Sequence, residues 1–258
     1  MPLDTSTYSL AFLRLDGRRW NELRRITAQI NTQASADGSS YLEMGNTKVI
    51  CTVSGPSEGK IASRQGTTST GGVDKADIQV IISIAGFSGV DRKRKAKNDK
   101  RLIEMQTIIA DAFAQILFTN LYPYSVISIA LDVLSQDGSI LAALINASTL
   151  ALVDAGIPMR DYISACTAGS TSTHSDNDET ADPLLDLNNT EEQELPFLTV
   201  ATLGAKDDIS VLLMETRVHF RRLEGMLLVA LDGCKQIRQI LDGVIRFNGK
   251  KSLQHIST

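Results

Sequence analysis

Gln136-Asp137-Gly138-Ser139-Ile140-Leu141-Ala142-Ala143-Leu144-Ile145-Asn146-Ala147-Ser148-Thr149-Leu150-Ala151-Leu152-Val153-Asp154-Ala155-Gly156-Ile157-Pro158 is the stretch around which the rest of the chain arranges itself. Asp137, Gly138 and Ser139 predict a tight turn, and the mostly apolar run Ile140 to Ala155 predicts one long helix ending before Gly156. A Gly-Ser turn that opens a helix is shaped for an anion, because the N–H groups of the first turn are unpaired and face outward at the positive end of the dipole. Ile140 and Leu141 follow, so no cation stands beside those N–H groups. Taken as bare structure, Asp137-Gly138-Ser139 reads as ordinary helix capping.

Working outward, Asp16 to Arg24 reads as a turn followed by one helical turn. Ile26–Ile30, Ser40–Leu42 and Thr47–Val53 alternate as half-buried strands, with Gly45-Asn46 turning the chain and Gly55-Pro56 ending the third. Glu58 to Lys75 is rich in Gly, Ser and Thr and predicts a loop. Ile78–Ile84 and Val126–Leu134 read as strands, and between them Leu102, Met105, Ile109, Phe113 and Ile116 form a helical stripe. Tyr162–Thr167, Thr199–Leu203 and Ile209–Met214 are further strands, the last two turning at Lys206-Asp207-Asp208. The polar segment Ser170 to Ala181 reads as a flexible insertion. A closing helix is expected from about Phe220 to Phe247, with Gly225 and Gly233 as possible breaks. Strands followed by long helices, twice over, predict an α+β domain of two similar halves.

The chain of 258 residues is 43% hydrophobic and 22% charged, within the globular range and enough for one large domain. Its net charge of -4 conceals segregation: cations gather from Arg92 to Arg101 and acids from Asp176 to Glu194. No apolar run reaches membrane-spanning length, and the first residues lack the pattern of a secretory signal. Cys51, Cys166 and Cys234 are odd in number, far apart and in apolar or small-residue settings, which predicts buried thiols in a reducing compartment. His174, His219 and His255 are scattered. Neither a zinc site nor a His-based nucleophile is expected, and no metal or other cofactor is called for.

Four segments, in order, carry a family resemblance. They are Asp16-Gly17-Arg18-Arg19, Asp37-Gly38-Ser39-Ser40-Tyr41-Leu42-Glu43-Met44-Gly45-Asn46-Thr47, Asp154-Ala155-Gly156-Ile157-Pro158-Met159 and Leu185-Asp186-Leu187-Asn188. Together they resemble the RNase PH family and, within it, the ring subunits of the eukaryotic RNA exosome that correspond to the catalytic ring subunit of the archaeal complex. The resemblance implies an RNase PH fold of two βαβ-type halves with ribosomal S5 domain 2-like architecture. One domain would run over residues 13–250, with a first half of 13–153, a second of 154–250 and the flexible insertion at 170–181.

Active members of that family shorten RNA from its 3′ end, with orthophosphate attacking the terminal phosphodiester to release a nucleoside diphosphate. The resemblance places the phosphate cradle, a Gly-Ser/Thr-Arg turn, at Gly138, Ser139 and Ile140. Here isoleucine replaces the arginine, a loss on the order of 3 kcal/mol of transition-state stabilisation by analogy with deleting one preorganised donor. Of the two aspartates used by active relatives, the first aligns with Glu192 and the second falls near Phe197, where no carboxylate is found. Glu191, Glu192 and Glu194 could be a metal cluster, but a solvated acidic loop is the simpler reading. The expected site is therefore vestigial, the chain has no catalytic residues and it is not an enzyme; active phosphorolysis is the alternative.

RNA contact is better preserved. Lys100 and Arg101 open a helix, where exposed cations oppose the dipole at roughly 0.3–1 kcal/mol each, so they are expected to face an external anion. They fall on the paired-arginine position that contacts RNA in the family. Lys97, in the basic run Arg92 to Lys97, and Arg64, in the preceding loop beside Lys60, join them as expected RNA contacts. The same run also resembles a nuclear-localisation patch or a plain exposed loop. Trp20 is expected to pack beneath the amino-terminal turn. The resemblance implies a hetero-hexameric ring of RNase PH-like subunits, S1/KH cap subunits and an associated RNase II/R-type hydrolytic nuclease. It further implies work in rRNA and non-coding RNA processing and mRNA decay, in nucleus, nucleolus and cytoplasm.

Overall fold

The computed structural model describes residues 13–14, 16–58, 75–89, 92, 99–171 and 182–256. Strands β1 (Ile26–Ile30), β2 (Gly38–Met44), β3 (Thr47–Glu58), β4 (Asp77–Ile84) and β5 (Ser125–Ser135) form one sheet in the order β1-β2-β3-β5-β4. Helix α1 (Lys100–Ile116) crosses from β4 to β5, which lie parallel; the other pairs are antiparallel. Helix α2 (Ile140–Asp154) leads to a second, antiparallel sheet of order β7-β6-β8-β9. Its strands are β6 (Ile163–Ser170), β7 (Pro183–Leu185), β8 (Phe197–Leu203) and β9 (Asp208–Met214), with the short helix α3 (Asn189–Glu194) between β7 and β8 and the terminal helix α4 (Phe220–Ile256) behind. This is the expected mixed architecture of two sheets with helices.

Helix α2 explains why two sheets make one body. Ile140 through Leu152 are all buried, and the helix packs on β2 and β3 of the first sheet and on β6 of the second. A helix without a polar face must be covered on every side. Its polar residues are satisfied internally. The Asn146 amide donates to the Ala165 carbonyl at 2.9 Å and accepts from the Ala165 N–H at 2.8 Å, and the Thr149 hydroxyl donates to the Ile163 carbonyl at 3.0 Å. At its far end, Asp154 accepts from the Ser39 N–H at 2.9 Å. A Cβ on Gly38 would collide with the Ala151 carbonyl and lie 2.5 Å from the Ala155 nitrogen. Two of the family-like segments, Asp37-Gly38-Ser39 and Asp154-Ala155-Gly156, are thus two sides of one packing joint.

Several expectations change. No helical turn forms between Asp16 and Arg24; Arg18 and Arg24 instead hydrogen-bond to the buried Asp186. Strand β3 does not stop at Gly55-Pro56 but continues to Glu58 through a bulge, its partner stepping from Ser54↔Ser128 to Ser57↔Val126. Helix α4 runs unbroken to Ile256. Gly233 faces β6 and β7, where a Cβ would lie 2.5 Å from Leu185 Cδ1 and 3.0 Å from Cys166 Sγ, so it sets the helix's close approach rather than breaking it. Trp20, in the turn at 20–21, is 42% exposed rather than packed beneath it. The three thiols are free and buried, and burial pushes Cys51 and Cys234 up to about 12. The greater part of the insertion, residues 172–181, lies outside the described residues.

Candidate functional site

The Gly138-Ser139 turn is driven into the second half of the chain. Gly138 (φ +75°) has no room for a side chain: a Cβ would lie 2.5 Å from the Leu187 carbonyl and 2.8 Å from the Asn189 nitrogen. Ser139 is left-handed (φ 52°) and makes no side-chain cap to α2; its hydroxyl donates to Asp186 Oδ1 at 3.0 Å and to the Leu187 carbonyl at 3.2 Å. Simple capping is therefore not what this turn does. Its serine joins the two halves.

Asp186 is the hub. It sits in the apolar run Leu184-Leu185-Asp186-Leu187, fully buried and left-handed (φ 52°). Arg24 grips it bidentately, Nε to Oδ2 at 3.0 Å and Nη2 to Oδ1 at 2.7 Å, and the Arg24 N–H adds a third bond at 3.0 Å. Burial by itself would raise the Asp186 carboxyl; the charge and hydrogen bonds of Arg24 overcome that and hold it below the usual carboxylate range. Arg14 donates from Nη2 to the Asp186 carbonyl at 3.0 Å and from Nε to Glu191 Oε1 at 3.0 Å. Arg18 reaches the same carbonyl at 3.1 Å and Asn188 at 3.3 Å.

The acidic segment is no solvated loop. Asn188 to Glu194 is a capped helical turn in which Asn188 and Glu191 form a capping box, and Glu191 is only 1% exposed against Arg14. Glu192, partly buried, turns toward the α2 start and accepts a short hydrogen bond from the Ser139 N–H. Burial pushes its carboxyl up to about 7, against the pull of that N–H, Arg24 and Arg101, while Asp186 adds to the rise. The N–H that a phosphate oxygen would take is filled by the chain's own carboxylate. Ile140 is buried and contributes no charge.

This donor set does not suit a metal ion. Asp186 is saturated by Arg24 and Ser139, Glu191 by Arg14 and the Asn188 N–H, and Asp137 accepts from Asn46 at 3.0 Å. No group of three His, Cys, Asp or Glu able to hold a metal occurs among the described residues.

Lys100 and Arg101 do open α1, both exposed, and no acid lies in that first turn. Arg101 is within electrostatic reach of the same turn: its charge bears on Glu192, and its Nη2 lies 3.9 Å from Glu215 after β9. The structure thus brings together Ser139, Glu192 and Arg101, from three distant parts of the sequence. Lys60, Arg64 and Lys97 lie outside the described residues. The Arg14–Arg24–Asp186–Glu191 network escaped the sequence reading, although a lone acid among leucines signals a buried ion pair.

Fold and site together define an RNase PH-type protein, and the chain belongs to that family: residues 22–158 match the model of the 3′ exoribonuclease family, domain 1. It is 40% identical over 252 residues to a Saccharomyces cerevisiae protein named exosome complex component SKI6, covering 97% of each chain. It is 41% identical over 234 residues to the Mus musculus exosome complex component RRP41, covering 90% of each. Among solved structures, rice (Oryza sativa) Rrp46 superposes with a TM-score of 0.74 at 25% identity, covering 90% of this chain and 100% of that one.

Proposed function

We propose that this chain is a core ring subunit of an RNA exosome that holds single-stranded RNA without cleaving it and guides it to an associated hydrolytic 3′–5′ exoribonuclease. The observation that carries the non-catalytic reading is the Ser139 N–H, whose acceptor is Glu192. Orthophosphate would have to displace a carboxylate already held there, and would find Ile140 where a guanidinium is needed. Phe197, where the second acid would stand, supplies none. Lys100 and Arg101, exposed at the start of α1, can neutralise backbone phosphates of any sequence, as a path for many transcripts requires. Kinship with proteins named exosome complex components supports the assembly: other RNase PH-like subunits in a hetero-hexameric ring, S1/KH cap subunits and an RNase II/R-type nuclease. Processing of rRNA and other non-coding RNA and decay of mRNA, in nucleus, nucleolus and cytoplasm, follow from that place.

One observation favours active phosphorolysis instead. A carboxyl at about 7, as in Glu192, suits a general acid. It has neither the second acid nor the phosphate-binding cation. The deciding experiment incubates the reconstituted ring, free of the hydrolytic nuclease, with labelled RNA and orthophosphate. No nucleoside diphosphate is expected; phosphate-dependent diphosphate release would establish the enzyme.

A further inference from the structure

The link between β9 and α4, Glu215-Thr216-Arg217-Val218-His219-Phe220, has a shape that folding alone does not require. Thr216 fastens it, its Oγ1 accepting from the Phe197 N–H at 3.2 Å, so the link lies beside the position where active relatives carry their second acid. Glu215 reaches Arg101 at 3.9 Å, tying the link to the start of α1. Both partners of that pair are about half exposed (56% and 44%), so Arg101 is free to exchange the carboxylate for a stronger anion. Val218 and Leu223 turn inward onto the cluster of Leu198, Val200 and Met226. Phe220, between them, turns outward at 80% exposure, the most exposed large apolar side chain among the described residues. Arg217, three residues before it, is exposed and forms no ion pair among the described residues.

An aromatic face open to water and flanked by cations is what single-stranded nucleic acid uses: the ring stacks on a base of any identity while the cations hold phosphates. A neighbouring protein would want apolar contact at this point, but the exposed Arg217 in the same link, and Arg101 tied to that link through Glu215, favour a polyanion. We propose that the β9–α4 corner is a further RNA contact, in which Phe220 stacks on a base and Arg217 holds an adjoining phosphate. It continues the path that begins at Lys100 and Arg101, and it rests on the RNA-holding reading above.

The test uses the reconstituted exosome core and a labelled oligoadenylate of about a dozen nucleotides, read by fluorescence anisotropy, with assembly followed by mass photometry. Phe220→Leu keeps apolar bulk and loses the π face; Phe220→Tyr keeps both. Loss of one stacked base weakens binding by roughly 5- to 150-fold, so Phe220→Leu is expected to fall in that range and Phe220→Tyr to bind like the parent. Arg217→Glu is expected to weaken binding as well. A 5-iodouridine strand should photocrosslink to the peptide containing Phe220. Undiminished binding by Phe220→Leu, or loss of ring assembly in that variant, overturns the proposal and makes the corner a surface without RNA or a subunit contact. A paired Lys100→Glu/Arg101→Glu variant separates the two readings. If it loses RNA while Phe220→Leu does not, only the corner is wrong; if neither loses RNA, the RNA-holding reading fails too.

Discussion

Asp186 shows how one side chain can decide a joint between distant segments. A fully buried carboxylate is tolerable only because Arg24 and Ser139 use its oxygens, and removing either ion leaves the other stranded. Arg24→Ala is therefore expected to cost about 3–5 kcal/mol in urea unfolding. Because the folded-state carboxyl of Asp186 is depressed, its stabilisation is complete above the ordinary aspartate value and fades as pH falls through the lower folded value. Glu192 has the opposite sign. With its folded carboxyl near 7, the folded chain holds a proton that the unfolded chain releases from about 4.5 upward, so stability declines as pH rises from 4.5 to 7. Glu192→Gln should flatten that decline in pH-resolved unfolding, and a carboxyl carbon titrating near 4.5 in the parent would contradict the buried contact.

Among elements, the glycines of α4 separate helix propensity from packing. Gly243 has open space where a Cβ would go, so Gly243→Ala should stabilise the chain by about 0.8–1 kcal/mol through helix propensity alone. Gly233→Ala places the same methyl against Leu185 and Cys166 and should destabilise by about 1–3 kcal/mol as overpacking. Thermal unfolding of the two variants side by side reads this directly. The same contrast explains why Gly233 does not break α4: a glycine looks like a break in a linear pattern, but its cost depends on what faces it. Helix α2 posed no such difficulty. Its mostly apolar run from Ile140 to Leu152, with no charged residue and stopped by Gly156 and Pro158, permits only a covered helix.

Across the whole molecule, the Ser139–Glu192 contact and the basic start of α1 lie within electrostatic reach of each other. Arg101 bears on Glu192 and pairs with Glu215, so an RNA held at Lys100 and Arg101, as proposed above, would lie near the filled turn. Each phosphate contact on a single strand contributes about 0.7 to the slope of log affinity against log salt. Exchanging Lys100 and Arg101 for alanine should thus lower that slope by about 1.4, measured by anisotropy across a salt series with the assembled ring. An unchanged slope would place the cations off the RNA path.

Local pattern was enough for most of the strands and the three long helices, the buried thiols, the cationic start of α1 and the absence of a guanidinium at Ile140, because each follows from neighbours in the chain; β7 and α3 escaped it. Periodicity and side-chain chemistry act over a few residues. Tertiary structure alone decided that Ser139 ties down Asp186 rather than capping α2, that Glu191 is buried against Arg14 and that Glu192 fills the turn's N–H. Those outcomes depend on desolvation and on charges brought together from opposite ends of the sequence. An acidic run looks solvated until folding takes the water away.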